Sequence, residues 1–367
     1  MTGKERFLTA LNRGTPDMVP IWDLAFNEPS IVNIAKHFTD NVPPLKLLHQ
    51  MDANDLVAIM RALFLIAEEL DLDGLTMPTL LGREHIEGDI IKDRLGVIQH
   101  VGWHGDPIPF DGPIKTPADL KSYKPPKVDD SWLMAAMFAK SHFKGRIANV
   151  LMMPDPFKIS WALRGEMINT LIAYIDNPAF AHDTAKLATE ICLAVFERAV
   201  AAGVDAVVLP GDIAMNEATI MSPAHFREYL KPRYKEIVDV VHAAGLPAIK
   251  HSDGNLNAIL DDLLEIGFDA VHPIQPQCMD IAETKKKCAG RACVIGNIDC
   301  VDLLTSGSVE EVERTVKETI EIAAPGGGYI LSSSNTIHPD VKPENAIAMF
   351  RAARRHGAYP IGGAVEK

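Results

Sequence analysis

The chain has 367 residues, of which 47% are hydrophobic and 23% are charged, so it has enough apolar residues to bury a large core. The formal net charge is −13, and binding to nucleic acid or to an anionic membrane surface would instead need clustered lysine and arginine. No segment offers ~18 uncharged apolar residues in a row, as a membrane-spanning helix would require. We therefore expect neither a nucleic acid nor a membrane as a partner.

The N-terminus and the cysteines predict the compartment. Residues 1–14 begin an amphipathic helix and lack the pattern of a signal peptide. The five cysteines are an odd number, which is typical of reduced thiols. Both features predict a cytoplasmic protein.

Short apolar runs, each bounded by Gly, Pro, Asp or Asn, alternate with helical segments along the chain, as buried parallel strands do. The eight runs, in order, are MVPIWD, GLTMPT, IANVLMMPD, DAVVLPGD, PAIKHSDG, DAVHPIQP, ACVIGNID and YILSSSN. The alternation predicts an α/β fold with a parallel sheet, and eight repeats favour closure into a (β/α)8 TIM barrel. We predict one barrel domain over residues 1–367.

Three helices between these runs carry clear sequence signals. Residues 177–203 form one long amphipathic pattern. A second helix is predicted over 222–245, with Ser222 as its N-cap followed by proline at the first helical position. Ser308 and Glu311 have the spacing of a capping box at the start of a third.

The segment at about 80–115 interrupts the alternation. It has the pattern of short antiparallel strands with a long loop. We interpret it as a small insertion at the mouth of the barrel, forming part of a lid.

Seven of the eight runs end in polar residues. In a barrel the C-terminal ends of the strands converge on one mouth, where active sites of this architecture lie. Each of these residues alone could equally cap the following helix, so the prediction of a site depends on their convergence. The polar residues at the run ends are Asp23, Asp155, Asp212, His251, Ser252, Asp253, His272, Gln275, Asn297, Asp299, Cys300 and residues 332–335.

His251 and Asp253 are two residues apart in a predicted strand, so their side chains point to the same side and can reach one ion or one substrate. Histidine and aspartate are ligands of Zn²⁺, and Cys278 or Cys300 could complete a mixed site. The alternative is that His251 bonds Asp253 or the substrate without a metal. The residues alone leave both interpretations open.

Four stretches resemble members of the uroporphyrinogen-decarboxylase superfamily in the same order. They are TGKERFLTALNRGTPDMVPIWD, SPAHFREYLKPRYKEIVDVVHAAGLPAIKHSDGN, IGNIDCVDLL and PENAIAMFRAARRHGAYP. The resemblance extends over nearly the whole chain and implies a (β/α)8 barrel with a deep cleft at the strand C-termini. The superfamily includes porphyrin decarboxylases and cobalamin-linked methyltransferases.

The motifs of the decarboxylases are missing. Where they carry an arginine-rich R-Q-A-G-R segment, this chain has DLAFNEPS, and where they carry an aspartate in F-S-D-I, it has GLTMPTLL. A mouth lined by aspartates would also repel a substrate with several carboxylates, which needs cationic partners. The resemblance therefore favours the methyltransferase branch. A decarboxylase-like lyase and a non-catalytic ligand-binding barrel are the alternatives.

The methyltransferase branch usually carries H-x-C on the fifth strand and a second cysteine after the eighth, which together bind zinc and activate a thiol. This chain has His251 and Asp253 in the first motif and Asn335 near the second position. It therefore resembles most the methyltransferase I of aryl methyl ether O-demethylases, which passes a methyl group from a methoxylated aromatic compound to the Co(I) corrinoid of a separate protein. A methylcorrinoid:thiol methyltransferase is a further alternative.

The resemblance implies a small-molecule methyl donor, a corrinoid-binding partner protein and a possible zinc ion. We expect the catalytic residues to be His251, Asp253, Asp212, His272 and Asn335. The residues expected to bind the substrate are Asp23, Asn27, Met77, Met153, Asp155, Gln275, Asn297 and His338. The expected zinc ligands are His251, Asp253, Cys278 and Cys300.

Overall fold

The computed structural model describes residues 1–46, 50–102 and 107–361. Its strands are β1 (Gly74–Pro78), β2 (Glu84–Glu87), β3 (Ile90–Lys92), β4 (Ile98–Val101), β5 (Pro107–Asp111), β6 (Ala148–Met152), β7 (Ala206–Pro210), β8 (Ala248–His251), β9 (Ala270–His272), β10 (Cys293–Ile298) and β11 (Tyr329–Ser333). Its helices are α1 (Gly3–Leu11), α2 (Glu28–Ala35), α3 (Ala53–Glu69), α4 (Pro117–Ser122), α5 (Met134–Phe143), α6 (Pro156–Leu163), α7 (Met167–Asp176), α8 (Pro178–Ala202), α9 (Pro223–His225), α10 (Lys231–Ala243), α11 (Leu260–Ile266), α12 (Ile281–Cys288), α13 (Leu303–Ser306), α14 (Val309–Ala323) and α15 (Pro343–His356). A 3₁₀ turn over Asp130–Leu133 precedes α5.

Seven parallel strands form one curved sheet in the order β1-β6-β7-β8-β9-β10-β11. They coincide with seven of the eight predicted runs. Their residues are almost all buried, because helices cover the outer face and side chains fill the inside. The C-terminal ends of all seven strands therefore open at one mouth, as expected for a barrel-like fold.

The predicted first strand forms only isolated bridges, one of them antiparallel between Met18 and Ala358. Ile21 pairs in parallel with Leu331 of β11, and its carbonyl accepts a hydrogen bond from the amide of Asp73 at 2.9 Å, just before β1. Pro20 has no amide hydrogen, and the amide of Ile21 is taken by the Asp73 carboxylate at 2.8 Å, so no ladder continues to β1. The fold is TIM-barrel-like, but the prediction of eight full strands is corrected: the ring is not closed by an eighth strand.

Three aspartates make the same kind of hydrogen bond at the opposite end of the sheet, which we call the base. Asp73, Asp205 and Asp269 each directly precede a strand. Their carboxylates accept the backbone N–H of Ile21, Asn149 and Ala248 at 2.8, 3.0 and 2.9 Å. Each aspartate thus bonds an N–H group at the start of the neighbouring segment, before the ladder between the two segments has begun.

Each of these base aspartates also contacts a basic side chain. Asp73, which is fully buried, lies 2.6 Å from Arg354 of α15 and 3.3 Å from Arg6 of α1. Asp205 lies 2.6 Å from Lys4. Asp269 bonds His242 at 2.8 Å and lies 3.6 Å from Arg13. The base is therefore held by ion pairs in addition to backbone hydrogen bonds.

The predicted helices are confirmed, one of them with a modification. α8 begins after the N-cap Asn177 and ends at Gly203, whose φ of 72° suits glycine. The predicted helix over 222–245 contains a π-helical turn over Phe226–Leu230 between α9 and α10. Pro232 follows this turn and lacks the amide hydrogen for a regular helical bond, which accounts for the wider turn.

The predicted capping box of Ser308 and Glu311 is present at the start of α14. No helix in the described ranges has the combination of length and apolar character that crossing a bilayer requires.

The insertion forms a separate four-stranded antiparallel sheet in the order β2-β3-β4-β5, which confirms the short antiparallel strands predicted there. It follows the C-terminal end of β1 and so starts on the mouth side. Its far end is fixed against α6, because a Cβ on Gly112 would lie 2.4 Å from the carbonyl oxygens of Ala162 and Leu163. A lid role for this sheet stays a prediction.

Candidate active site at the mouth of the barrel

Three of the expected catalytic residues come together at the mouth. His251 ends β8, Asp212 follows the adjacent β7, and Asp253 follows β8. The Nε2 atom of His251 lies 3.7 Å from Oδ1 of Asp212 and 3.9 Å from Oδ1 of Asp253. One ligand atom from each residue fits within a mutual distance of 4.8 Å. We call these three residues the acidic cluster.

Local hydrogen bonds fix the position of Asp253. Its backbone N–H donates to Oδ1 of Asp212 at 3.1 Å, and the Nδ2 amide of Asn335 donates to its Oδ2 at 2.6 Å. The next residue is Gly254, whose φ is 87° and whose missing Cβ leaves room for the carbonyl of Met215. Asn335, expected to be catalytic, therefore contacts the cluster directly and orients one of its carboxylates.

Burial sets the protonation of the cluster. It lowers the pKa of His251 to about 3, with further lowering by the positive charges of Lys250 and Lys158, so the ring is neutral at pH 7. Burial and the nearby negative charge of Asp212 raise the pKa of Asp253 to about 8. In the absence of a cation the cluster therefore holds a neutral imidazole and a protonated Asp253.

The donor set of the cluster suits a divalent transition metal such as Zn²⁺. A neutral imidazole nitrogen and carboxylate oxygens are ligands that zinc accepts. Oδ1 of Asp253 is buried and has no hydrogen-bond partner in the part of the chain that the structure describes, which is costly unless a ligand or ion binds there. Asp212, predicted as catalytic, is thus a metal-ligand candidate, and the side chains of Asp212 and Asp253 are 53% and 32% exposed, which leaves access from the mouth.

The two cysteines expected as zinc ligands do not belong to this cluster, and that prediction is wrong. Cys300 is buried and its sulfur accepts the hydroxyl of Ser334 at 3.3 Å; burial raises the pKa of its thiol to about 11. Cys278 lies 3.6 Å from Oδ1 of Asn216. Their positions close to the ends of predicted strands placed both residues near the mouth, but these positions do not determine the direction of the side chains.

His272 has a different position from the one expected of a catalytic residue. It is fully buried and its Nδ1 lies 2.8 Å from Nδ1 of His251, on the far side of that ring from the carboxylates. Its own Nε2 lies 3.2 Å from the hydroxyl of Ser332. The buried ring offers no exposed surface to a substrate and reaches the cluster only through His251. A catalytic role for His272 stays a prediction.

Asp155 makes its contacts in the interior of the barrel. Its side chain is fully buried, accepts the ammonium of Lys250 at 2.9 Å and the hydroxyl of Tyr234 at 3.0 Å, and caps the start of α6. These partners occupy both oxygens, so the predicted contact with substrate is replaced by a structural one. Lys250 was not predicted as a partner, although a lysine inside the apolar run PAIKH indicates a buried ion pair.

Four other expected substrate-binding residues are enclosed by protein. Both oxygens of Asp23 accept hydrogen bonds from Ser333 at 3.0 Å, and burial raises the pKa of Asp23 to about 7. Asn27 is buried and accepts the hydroxyl of Thr336 at 3.3 Å. Met77 and Met153 are buried in the hydrophobic core, as most methionines are. Contact of these side chains with substrate is contradicted by their burial.

Of the last three expected substrate-binding residues, Gln275 and His338 lie in loops around the mouth, and Asn297 is buried near the end of β10. Gln275 is half-buried and accepts the N–H of Gly254 at 2.9 Å, which joins its loop to the acidic cluster. Asn297 donates to the carbonyl of Ile274 at 2.9 Å. His338 is half-buried with its Nε2 2.9 Å from the carbonyl of Cys300. Substrate binding by these three stays a prediction.

Comparison with known proteins identifies the family of the chain. The model of the uroporphyrinogen decarboxylase (URO-D) family matches residues 94–356. A methylcobamide:CoM methyltransferase, MtaA of Methanosarcina barkeri, is 29% identical over 166 residues, which are 45% of this chain and 46% of that protein. A uroporphyrinogen decarboxylase of Chlorobaculum tepidum is 24% identical over 287 residues, which are 73% of this chain and 79% of that protein.

The fold has a close counterpart among solved structures. A methyltransferase from Methanosarcina mazei superimposes with a TM-score of 0.72 at 21% identity, over 97% of this chain and 99% of that one. The match to the MtaA methyltransferases spans about half of their length. The chain belongs to the uroporphyrinogen decarboxylase family, and its similarity to MtaA supports the corrinoid-dependent methyltransferase branch of that family.

Proposed function

We propose that the protein transfers a methyl group from a methoxylated aromatic compound, an aryl methyl ether, to the Co(I) corrinoid of a partner protein. The observation that carries this proposal is the acidic cluster: an imidazole and two carboxylates within 4.8 Å of one another at the open mouth of the barrel. In the described ranges no lysine or arginine forms an ion pair with Asp212 or Asp253. Such a site favours an uncharged donor group over the carboxylates of a porphyrin.

The reaction needs help at the ether oxygen. The methyl group leaves with neither electron of its C–O bond, so the electron pair stays on the oxygen as a phenolate, which is a poor leaving group unless its charge is stabilised. The partner's corrinoid supplies the cobalt(I) nucleophile when it is bound. This chain must therefore hold the ring and stabilise the oxygen.

The acidic cluster offers two means of doing so. Nε2 of His251 and oxygens of Asp212 and Asp253 would hold a zinc ion, which supplies Lewis acidity toward the ether oxygen. Without a metal, Asp253 carries a proton at neutral pH because its pKa is about 8, and it can donate that proton to the leaving oxygen. In both cases the hydrogen bond from Asn335 fixes the carboxylate that acts.

A second candidate is suggested by the methylcobamide:CoM methyltransferases among the relatives. In this case the methyl group would move from a methylcorrinoid to a thiol. The donor set speaks against it, because no cysteine belongs to the acidic cluster and both further ligands are carboxylates.

A direct assay separates the candidates. The chain is mixed with cob(I)alamin and a panel of methoxyarenes, and the methyl–cobalt absorption is followed. In a second arm it is mixed with methylcobalamin and coenzyme M. Methylation of cobalt by an ether supports the proposal, whereas loss of methyl from cobalt to the thiol alone replaces it by the second candidate. Absence of turnover in both arms, repeated with a purified corrinoid protein, would refute methyl transfer.

A further inference from the structure

Two buried histidines connect the acidic cluster to the interior of the barrel. His251 and His272 are register partners on the adjacent strands β8 and β9. Their Nδ1 atoms lie 2.8 Å apart, and Nε2 of His272 lies 3.2 Å from the hydroxyl of Ser332 on β11. The ring of Trp22 meets His272 edge-on at 5.2 Å between centroids. The row of three polar groups is therefore enclosed by protein at its inner end.

The distance between the Nδ1 atoms limits where the protons lie. A hydrogen bond at 2.8 Å requires one proton between the two nitrogens, and a neutral imidazole carries only one. If His251 donates, its Nε2 keeps a lone pair toward Asp212 and Asp253. His272 must then carry its proton on Nε2 and donate it to Ser332.

The opposite arrangement has different consequences. If His272 donates from Nδ1, His251 must carry its proton on Nε2, where it points toward the carboxylates. A protonated Nε2 cannot bind a metal, because the ligand is the lone pair. The serine hydroxyl would then have to donate to Nε2 of His272. The protonation of the outer ring is thus coupled to that of the inner one.

We infer that His272 is a positioning residue that accepts the Nδ1 proton of His251 and so presents the Nε2 lone pair of His251 to the metal-binding side of the acidic cluster. Ser332 completes the row by accepting the Nε2 proton of His272. The inference rests on the proposed function in that it assigns a metal ion to this cluster. Metal-bound histidines generally have such a partner on the other nitrogen, and its loss weakens metal binding about 10–100-fold.

The test measures Zn²⁺ binding by competition with a chromophoric chelator. In His272→Phe, which keeps an aromatic ring but offers no acceptor, we expect the Zn²⁺ affinity to fall about 10–100-fold. In His272→Gln the amide oxygen can accept the same proton, so we expect most of the affinity to return. His242→Phe is the matched control, because it removes a histidine at the base and leaves the mouth intact.

A spectroscopic measurement is independent of these variants. In ¹⁵N-histidine-labelled wild-type protein with Zn²⁺, long-range ¹⁵N–¹H spectra should show the His251 proton on Nδ1 and the His272 proton on Nε2. A proton on Nδ1 of His272, or unchanged Zn²⁺ affinity in a folded His272→Phe variant, would overturn the inference. If His272→Phe does not fold, the tautomers of the wild type and the affinity of Ser332→Ala decide.

The outcome is separable from that of the proposed function. Zn²⁺ affinity and tautomer are read without a methyl donor or a corrinoid. Failure of every ether to methylate cobalt would refute the proposed donor but leave these two results standing. Conversely, an active enzyme with the wrong tautomer would refute only the role of His272.

Discussion

The carboxylates of the base and those of the acidic cluster at the mouth have different partners. At the base, Asp73, Asp205 and Asp269 each accept a backbone N–H and contact a basic side chain. At the mouth, Asp212 and Asp253 face each other and a neutral imidazole, with one carboxylate oxygen left unpartnered in the described part of the chain. Carboxylates of the first kind stabilise the fold, whereas those of the second are held ready for a ligand.

The difference also appears in protonation. Arg6 holds the pKa of Asp17, at the base, well below its usual range, because its guanidinium donates to both oxygens of that carboxylate. Burial without a cation raises the pKa of Asp23 and of Asp253 at the mouth. The Asp17 carboxylate is therefore ionised, whereas Asp23 and Asp253 tend to keep their protons. At the base, the pKa of the buried Asp73 is also raised, because burial outweighs the lowering by Arg354 and Arg6.

The largest effect is expected from replacing one carboxyl group of the acidic cluster by an amide. Asp253→Asn should lower the rate of cobalt methylation by about 10²–10⁴-fold, because both the metal ligand and the proton donor are lost. Initial rates with the best methoxyarene measure this. Glu217→Gln removes an exposed charge from the loop that follows β7 and should leave the rate unchanged. If Asp253→Asn keeps a rate within about threefold of wild type, this residue has no role in the mechanism.

The corresponding change at the base should affect stability instead. Asp73→Ala leaves the guanidinium groups of Arg354 and Arg6 without their buried partner and the amide of Ile21 without an acceptor. We expect the free energy of unfolding to fall by about 3–5 kcal/mol, measured by denaturant titration. Asp71→Ala is the control: this carboxylate also pairs with Arg354 but is 73% exposed, so its loss should cost about 0–1 kcal/mol. Equal losses in the two variants would contradict the assignment.

Metal binding at the mouth should stabilise the folded protein. Zn²⁺ at 100 times its dissociation constant is expected to add about 2.7 kcal/mol to the free energy of unfolding, because it binds the folded cluster. Thermal unfolding before and after treatment with a chelator measures the gain. Asp253→Asn should show a much smaller gain, and Asp73→Ala, if folded, the full one. A Zn²⁺ response that persists undiminished in Asp253→Asn would place the ion elsewhere.

The smallest expected effect is a dependence of stability on pH with opposite signs for Asp23 at the mouth and Asp17 at the base. The pKa of Asp23 is raised from 3.8 to about 7, so its contribution is fully present below the unfolded value and is lost as the pH rises through 7. The pKa of Asp17 is lowered, so its contribution is present above pH 4 and is lost as the pH falls below that value. Unfolding curves of Asp23→Asn and Asp17→Asn should each lack one of these slopes. Parallel pH profiles for both variants and wild type would contradict this difference.

The sequence predicted the location of the site better than its chemistry. The strands were predictable because a strand buried on both faces is a short apolar run, and the spacing of His251 and Asp253 predicted their common direction. Asp155 was misassigned because its partner Lys250 is 95 residues away, and nothing local to a strand end indicates such a contact. Cys300 was misassigned as a ligand for the same reason, since the direction of its side chain depends on packing against Ser334.

The contact of Asp73 with both Ile21 and Arg354 has a consequence for the order in which the chain folds. Where a ladder is missing beside β1, Asp73 joins Ile21 to Arg354 of α15. A growing polypeptide on the ribosome cannot form this contact until α15 has emerged. The segment before β1 is therefore fixed to α15 late in folding, and products that stop before α15 should be more susceptible to proteases.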